Sequence, residues 1–371
     1  MSPTPPNPSD VMDNIIDITT LLQESVEKGG SDLHLCAGRP PTVRVRGDIT
    51  PLSGQILSSA SCRESILSII TDTQRAKLEK DLELDFGIGV KGIGRFRGNA
   101  HYSKGTLEAV FRHIPKHIPP LSDLGHRPAV EALCEMNQGL ILVTGMTGSG
   151  KTTTLAAMLQ RIAESRDAVI ITIEDPIEFE FPPCRSIIKQ RELGRDTLSF
   201  VTALKHVLRQ DPDVIMLGEM RDHETVRAAL TAAETGHLVL ATLHTNDAPQ
   251  ALDRIVDFFP GDEQDQILGQ LANVMAGIVA QRLLPSEDGT ERVLVTEFLG
   301  RNTAVAACIR DRRFEQIVGL MEIGRKDGMN TFDDSLESLY LTKKISKEDA
   351  ISNARDTNRM VNLRRQPEPK T

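Results

Sequence analysis

The sequence predicts two architectures in one chain: an α+β N-terminal part and an α/β part that ends in a helical extension. Three observations predict them. Up to about residue 114, short runs alternate apolar and polar residues in period two between helical stretches. From about residue 126, nearly continuous apolar runs (GLILVTG, AVIITIE, DVIMLGE, HLVLATL) alternate with helical stretches. Such runs are expected where a parallel sheet is covered on both faces by helices. After about residue 300 only helical spacing remains.

The bulk numbers agree. A chain of 371 residues has room for roughly two to three domains of about 150 residues each. At 39% hydrophobic it builds ordinary cores. The net charge of −9 and the pI of about 5.6 argue against a general nucleic-acid binder, which needs a basic footprint. The five cysteines at 36, 62, 134, 184 and 308 form no C-x-x-C pair, which predicts free thiols and no disulfide framework or zinc ribbon. MSPTPPNPSD lacks the basic and apolar regions of a secretory signal. No apolar run approaches ~18 residues, so no membrane-spanning helix is expected, and membrane contact is expected only through partner proteins.

The elements follow in order. Residues 1–10 are expected to be a disordered arm. Ile15, Ile16, Ile18, Leu21, Leu22 and Val26 keep helical spacing before a GG stop, which predicts a helix over 11–28. DLHL and TVRVRG alternate as strands. Helices are expected at 59–70 and 72–81, then three strands from LELDFGIGV, GRFRGNAHY and LEAVFRHI. This domain spans 11–114. Proline-rich residues 115–125 read as a stiff linker. The α/β core spans 126–300, the helical subdomain 301–360, and 361–371 is expected to be a disordered tail. No internal repeat occurs.

GMTGSGKT, residues 145–152, fits G-x-x-x-x-G-K-[ST]. It follows strand-like LILVT and precedes helical TTTLAAMLQRIAE, the context that separates this motif from an incidental glycine-rich turn. Gly145, Gly148 and Gly150 allow a tight loop whose N–H groups cradle phosphate. The helix N-terminus adds partial positive charge. Thr147, Ser149, Lys151, Thr152 and Thr153 complete the nucleotide-binding set, with Lys151 on the β- and γ-phosphates and the Thr152 hydroxyl on Mg²⁺ of a bound ATP. No N-K-x-D marks a GTPase. LSGQ at 52–55 lacks a glycine and lies upstream of the loop, so it does not mark an ABC ATPase. In DPDVIMLGEMRD, Gly218 stands where a simple Walker B strand ends in an Asp on Mg²⁺. Glu219 follows, placed to contact Mg²⁺ through water or to polarise the attacking water. The bland alternative is a glutamate that caps a helix.

GMTGSGKT, TIEDPIE, RQDPDVIMLGEMRD and TGHLVLATLHTND, in this order and spacing, resemble the four motifs of the type II/type IV secretion ATPases, and within them the type IV pilus retraction ATPases. The resemblance runs from about residue 10 to 355. It implies an N-terminal PAS-like domain, a C-terminal RecA-like P-loop ATPase domain, and a cytoplasmic homohexameric ring. ATP sits between the two domains, and hydrolysis moves the domains of neighbouring subunits. The ring docks on an inner-membrane pilus platform protein and drives retraction and twitching motility. In this family TIEDPIE is an acidic box whose last glutamate, here Glu178, is implicated in activating water. Glu180 is better read as a solvated loop charge. Arg95, Arg97 and Arg112 look like the arginines that such proteins bring to the nucleotide. Arg95 and Arg97 share a strand face, which is also what a plain solvated sheet face would show, and Arg112 is alternatively a domain-interface salt bridge.

His237 and His244 bracket one apolar run, seven residues apart. An odd separation along a strand puts them on opposite faces, which argues against a shared metal ion. His244 matches the family's γ-phosphate-sensing position; His237 is expected to support the architecture. The absence of a four-cysteine insertion in VAQRLLPSEDGTERVLV favours the compact retraction type. One departure stands out. The family's helical AIRNLIRE stretch matches AVAACIRD here, residues 304–311. Arg310 is kept, while Ala306 and Ala307 replace an arginine and an asparagine. An accessory retraction paralogue or a type II/IV secretion ATPase is therefore the alternative. A RecA-like nucleic-acid translocase and a non-hydrolysing scaffold are more distant ones. Low aromatic content, 4% with no Trp, argues against the translocase, and Lys151, Thr152, Glu178 and Glu219 argue against the scaffold.

Overall fold

The computed structural model describes residues 11–12, 16–45, 47–52, 55–114 and 117–364. The expected arm at 1–10 and residues 365–371 of the expected tail lie outside these. Contacts divide the chain into two compact units: Met1–His117 with Pro176–Glu180, and Ile118–Asp175 with Phe181–Thr371. Residues 176–180, expected within the 126–300 core, thus pack with the first unit.

The first unit contains β1 (Val11–Met12), α1 (Ile18–Glu27), β2 (Asp32–Leu35), β3 (Thr42–Val45), β4 (Asp48–Pro51), β5 (Ile56–Leu57), α2 (Ser59–Leu67), α3 (Asp72–Asp81), β6 (Glu83–Val90), β7 (Gly94–Ser103) and β8 (Thr106–Ile114). The first helix begins at Ile18 rather than near Val11. Asp17 caps it by accepting a hydrogen bond from the Thr19 amide at 2.9 Å, and an N-cap residue is itself non-helical. Val11–Met12 instead pair in parallel with β5. Thr71 and Gln74 form a capping box on α3, and Leu82 closes that helix in the left-handed region, so the following strand starts one residue later than expected.

Six strands form an antiparallel sheet in the order β4-β3-β2-β8-β7-β6. One face packs Leu33, Leu35, Phe86, Phe96, Leu107 and Phe111 against Leu21, Leu22, Cys62, Ile66 and Leu78 of the helices. Gly98 is required there: a Cβ at 98 would lie 2.6 Å from the ring of its cross-strand neighbour Phe86.

The second unit contains α4 (Pro128–Ala132), β9 (Gly139–Thr144), α5 (Lys151–Ser165), β10 (Val169–Glu174), β11 (Ile187–Glu192), α6 (Phe200–Val207), β12 (Val214–Leu217), α7 (His223–Glu234), β13 (Leu238–Leu243), α8 (Ala248–Asp257), α9 (Gly261–Val274), β14 (Met275–Pro285) and β15 (Arg292–Gly300). The sheet order is β11-β10-β12-β13-β9-β14-β15. Every pairing is parallel except β14 with β15. The four apolar runs are β9, β10, β12 and β13, and their side chains are buried almost throughout. This is the mixed α/β class that the apolar runs predict.

The C-terminal helices are α10 (Thr303–Arg310), α11 (Ile317–Ile323), α12 (Phe332–Leu341), α13 (Lys347–Asn353) and α14 (Thr357–Asn362). Phe332, Leu336, Tyr340, Ile345, Ala350 and Met360 build a separate core against Leu284 and Val295. Residues 361 and 362, expected in the disordered tail, are helical. The Lys347 ammonium closes that helix by donating to the Val361 and Leu363 carbonyls at 2.9 and 3.2 Å, as a cation at a helix C-terminus should.

A buried charge cluster ties these helices to the sheet. Glu297 on β15 is 0% exposed. Its Oε2 lies 3.0 Å from Arg355 Nη1, and its Oε1 accepts from the Ala248 amide at 2.9 Å. Arg355 Nη2 reaches Asp247 Oδ2 at 2.9 Å. Burial raises the Glu297 carboxyl above its ordinary range, and the Arg355 charge opposes that rise. Arg355→Ala removes the counter-charge and leaves a buried carboxylate, which costs about 3–5 kcal/mol. A raised carboxyl holds its proton in the folded state at a pH where the unfolded chain has released it, so lowering the pH favours folding. The expected outcome is a large fall in Tm at pH 7 that shrinks as the pH is lowered; a deficit independent of pH counts against the buried charge as its cause.

Candidate nucleotide site

The loop between β9 and α5 is shaped by glycines. Gly145, Gly148 and Gly150 have φ of +148°, +79° and +89°. Gly150 stands directly before α5, so the loop ends on a helix N-terminus. Lys151 is buried. Its ammonium donates to the Gly145 and Met146 carbonyls at 2.7 and 3.1 Å, which folds the side chain back over the loop. Thr152 and Thr153 are half-buried, Ser149 is buried, and Thr147 and Gly148, ahead of it in the loop, are exposed.

The acidic group comes from β12. The Gly218 amide donates to the Ile173 carbonyl at 2.8 Å, and the Met220 amide to the Thr242 carbonyl at 3.1 Å. The Thr242 hydroxyl donates to the Gly218 carbonyl. These bonds fix the turn that carries Glu219. Its Oε2 accepts from Arg221 Nε at 2.8 Å, and its Oε1 lies 3.4 Å from His244 Nε2. Arg221 Nη1 also lies 3.9 Å from Asp175 Oδ2. Glu219 is not a helix cap; Asp222 caps α7 by accepting from the Thr225 amide.

The two histidines separate as strand geometry requires. His244 follows the last residue of β13 and meets Glu219. His237 precedes the first, and its Nδ1 lies 2.9 Å from the Ala232 carbonyl and 3.1 Å from the Thr235 hydroxyl, at the end of α7. Six residues of strand set them about 20 Å apart. Burial lowers the His244 pKa first and the Lys151 charge next, with Arg221 in the same sense and Glu219 against it. Lys151, Glu219, Arg221 and His244 therefore share one electrostatic neighbourhood.

Glu178 and the three arginines lie in the first unit. Arg95 is buried; its Nε donates to the Ile177 carbonyl at 3.1 Å and its Nη1 lies 3.6 Å from Glu180 Oε1. Arg97 Nη1 lies 3.8 Å from Glu178 Oε1. Arg112 is exposed and donates from Nε to Asp32 Oδ1 at 2.8 Å, a cross-strand pair within the sheet.

Four residues escaped sequence reasoning. Arg221 and Thr242 stood inside quoted motifs, yet nothing in their spacing marked them. His126 Nε2 lies 3.0 Å from the Thr154 hydroxyl of α5, and burial lowers its pKa to about 4. Gln281 of β14 donates from Nε2 to the Ser149 carbonyl at 2.8 Å. Its partner is a backbone atom, which leaves no pattern in a sequence.

A sequence model of the type II/IV secretion system protein family matches residues 13–363. The type IV pilus retraction ATPase PilT of Pseudomonas aeruginosa is 42% identical over 340 residues, covering 92% of this chain and 98% of that protein. The type IV pilus ATPase PilU of the same organism is also 42% identical, over 343 residues, covering 92% of this chain and 90% of its own. A crystal structure of the pilus retraction motor PilT with bound ADP superposes with a TM-score of 0.87 at 44% identity, covering 94% of this chain and 100% of that one.

A lowered histidine is neutral in the folded protein at a pH where the unfolded chain is already charged. Below a pH of about 6.5 this group therefore subtracts from stability as the pH falls. The expected outcome of an NMR titration is a His244 midpoint below that value, moved lower still in Glu219→Gln, where the opposing carboxylate is gone. A midpoint that rises in the variant contradicts the arrangement.

Proposed function

The chain belongs to the type II/IV secretion system protein family, and on that premise we propose that it is the ATPase that drives type IV pilus retraction and with it twitching motility. It hydrolyses ATP to ADP and phosphate and couples turnover to domain motion. The observation that carries the reading is the joining of a phosphate loop to the Glu219–His244 pair, with Lys151 close enough to lower the His244 pKa. A scaffold that only binds ATP has no need of a paired carboxylate and imidazole beside the phosphates.

The roles follow from chemistry. Lys151 and the loop amides hold the phosphates. Thr152 and Glu219 supply the hard oxygen donors that suit Mg²⁺, which is bound through few protein ligands and keeps several waters. Thr152 would hold the ion directly and Glu219 through water, and the ion would neutralise charge on the β- and γ-oxygens. Glu178 orients and activates the attacking water. His244, neutral and hydrogen-bonding, reports the γ-phosphate to Glu219. Arg97 and Arg112 are exposed and bring the further positive charge that phosphoryl transfer needs. Arg95, the third of these arginines, is occupied in holding the Ile177 carbonyl beside Glu178.

The second unit then acts as a RecA-like ATPase domain and the first as a PAS-like domain, in a homohexameric ring on the cytoplasmic side of the inner membrane. Among the described residues no helix is long and apolar enough to cross a membrane. An inner-membrane pilus platform protein is the partner through which the ring acts, and no nucleic acid takes part.

A second reading, an accessory ATPase beside a main retraction motor or in a secretion system, is favoured by one segment. On α10, Val305, Cys308 and Ile309 are buried, Ala306 and Ala307 are half-buried, and Arg310 is exposed. The alanines thus alter the accessible part of the helix and spare its core. Live imaging of labelled pili in the source organism separates the readings. Pili that extend but stay out without an active copy identify a retraction motor; normal retraction in the deletion strain identifies the accessory role. Lys151→Ala should lower turnover at least about 100-fold, the scale of losing a charge-stabilising group, while the ring stays assembled. Dissociation of the ring in that variant contradicts the separation of nucleotide chemistry from assembly.

A further inference from the structure

Gln281 lies on β14 beside β9, one residue past the Ala280–Thr144 pair. It is 0% exposed. A buried amide in a strand that reads MAGIVA before it and RLLP after it needs partners, and its Nε2 finds one in the Ser149 carbonyl at 2.8 Å. The peptide that joins Ser149 to Gly150 is planar and trans, so its carbonyl and its N–H point in opposite directions. Holding the carbonyl from the β14 side turns the Gly150 N–H away from β14.

The two strands meet this closely because of glycines. A Cβ at Gly145 would lie 2.4 Å from the Gln281 carbonyl oxygen, and one at Gly150 would lie 3.2 Å from Gln281 Nε2. The glycines of the loop therefore admit Gln281 as well as phosphate. Lys151 is tied to the carbonyls of Gly145 and Met146 at the start of the loop, and Gln281 grips its end.

We propose that Gln281 is a positioning residue: by holding the Ser149 carbonyl it aims the Gly150 amide at the phosphates of the bound nucleotide. This rests on the reading that the loop binds nucleotide. A rotated peptide would present a carbonyl, not a donor, to the phosphates, so the effect falls on phosphate recognition and not on the adenine.

The test is titration of ADP and of adenosine, which lacks phosphate, into the full-length wild type, Gln281→Met and Gln281→Glu, with Tm recorded without nucleotide. Met keeps the length and removes the donor. Glu keeps the shape and, when ionised, can only accept. Wild type should bind ADP. Both variants should bind it at least about tenfold more weakly, about 1.4 kcal/mol, with Glu the weaker, while adenosine affinity stays unchanged. Should the Met variant fail to fold, the near-isosteric Glu variant decides. ADP binding that is unchanged in a folded variant, or ADP and adenosine weakened together, overturns the assignment. A wild type that binds no ADP overturns the nucleotide reading itself.

Discussion

The parallel run of β11, β10, β12, β13, β9 and β14 is the constraint on which the rest depends. Parallel neighbours end on the same side of a sheet, and open α/β sheets collect their ligand chemistry at those ends. The register makes this concrete. Leu243 pairs with Thr144, Leu217 with Ala241, Ile173 with Leu217, and Ala280 with Thr144. The residues that follow these ends are Gly145, Glu219 after Gly218, Asp175 after Glu174, His244 and Gln281. Groups spread over some 140 residues of chain meet because each lies one or two steps past the end of a parallel pairing, Gln281 while its strand runs on. No single side chain has to be steered there.

That placement also keeps two sides of the candidate site apart. The glycine-loop side is built largely of backbone, with Lys151 and Gln281 both holding loop carbonyls. The acidic side is built of side chains that hold one another: Glu219 between Arg221 and His244, with Thr242 fixing the turn beneath. Arg221 and His244 each face one oxygen of Glu219, at 2.8 and 3.4 Å, so both oxygens of that carboxylate are fixed from opposite partners. Glu178 belongs to the first unit, in a segment held by Arg95 and Arg97 of that same unit.

How much of this a sequence can carry varies by residue. The four apolar strands of the sheet and the phosphate loop were legible because burial on both faces and phosphate binding each impose a compositional pattern. β11 was not: as an edge strand, IIKQRE is half solvated and mixes polar residues with apolar ones. Nor were β14 and β15, where Gln281 and Glu297 interrupt apolar runs with buried polar groups. The start of α1 was misread because apolar spacing continues past its true boundary, and only the Asp17 cap marks it. The allegiance of 176–180 to the first unit depends on arginines some eighty residues earlier, and long-range hydrogen bonds to backbone leave no local trace.

Glu297 and Arg355 lie 58 positions apart, and the chain is made from one end. At about 5–20 residues per second, Glu297 waits roughly 3–12 seconds on the ribosome for the guanidinium that compensates it. During that interval the sheet has all its strands but lacks the cation that its edge requires. The helices after β15 thus act as a covalently attached counterion, delivered only after the sheet that needs it.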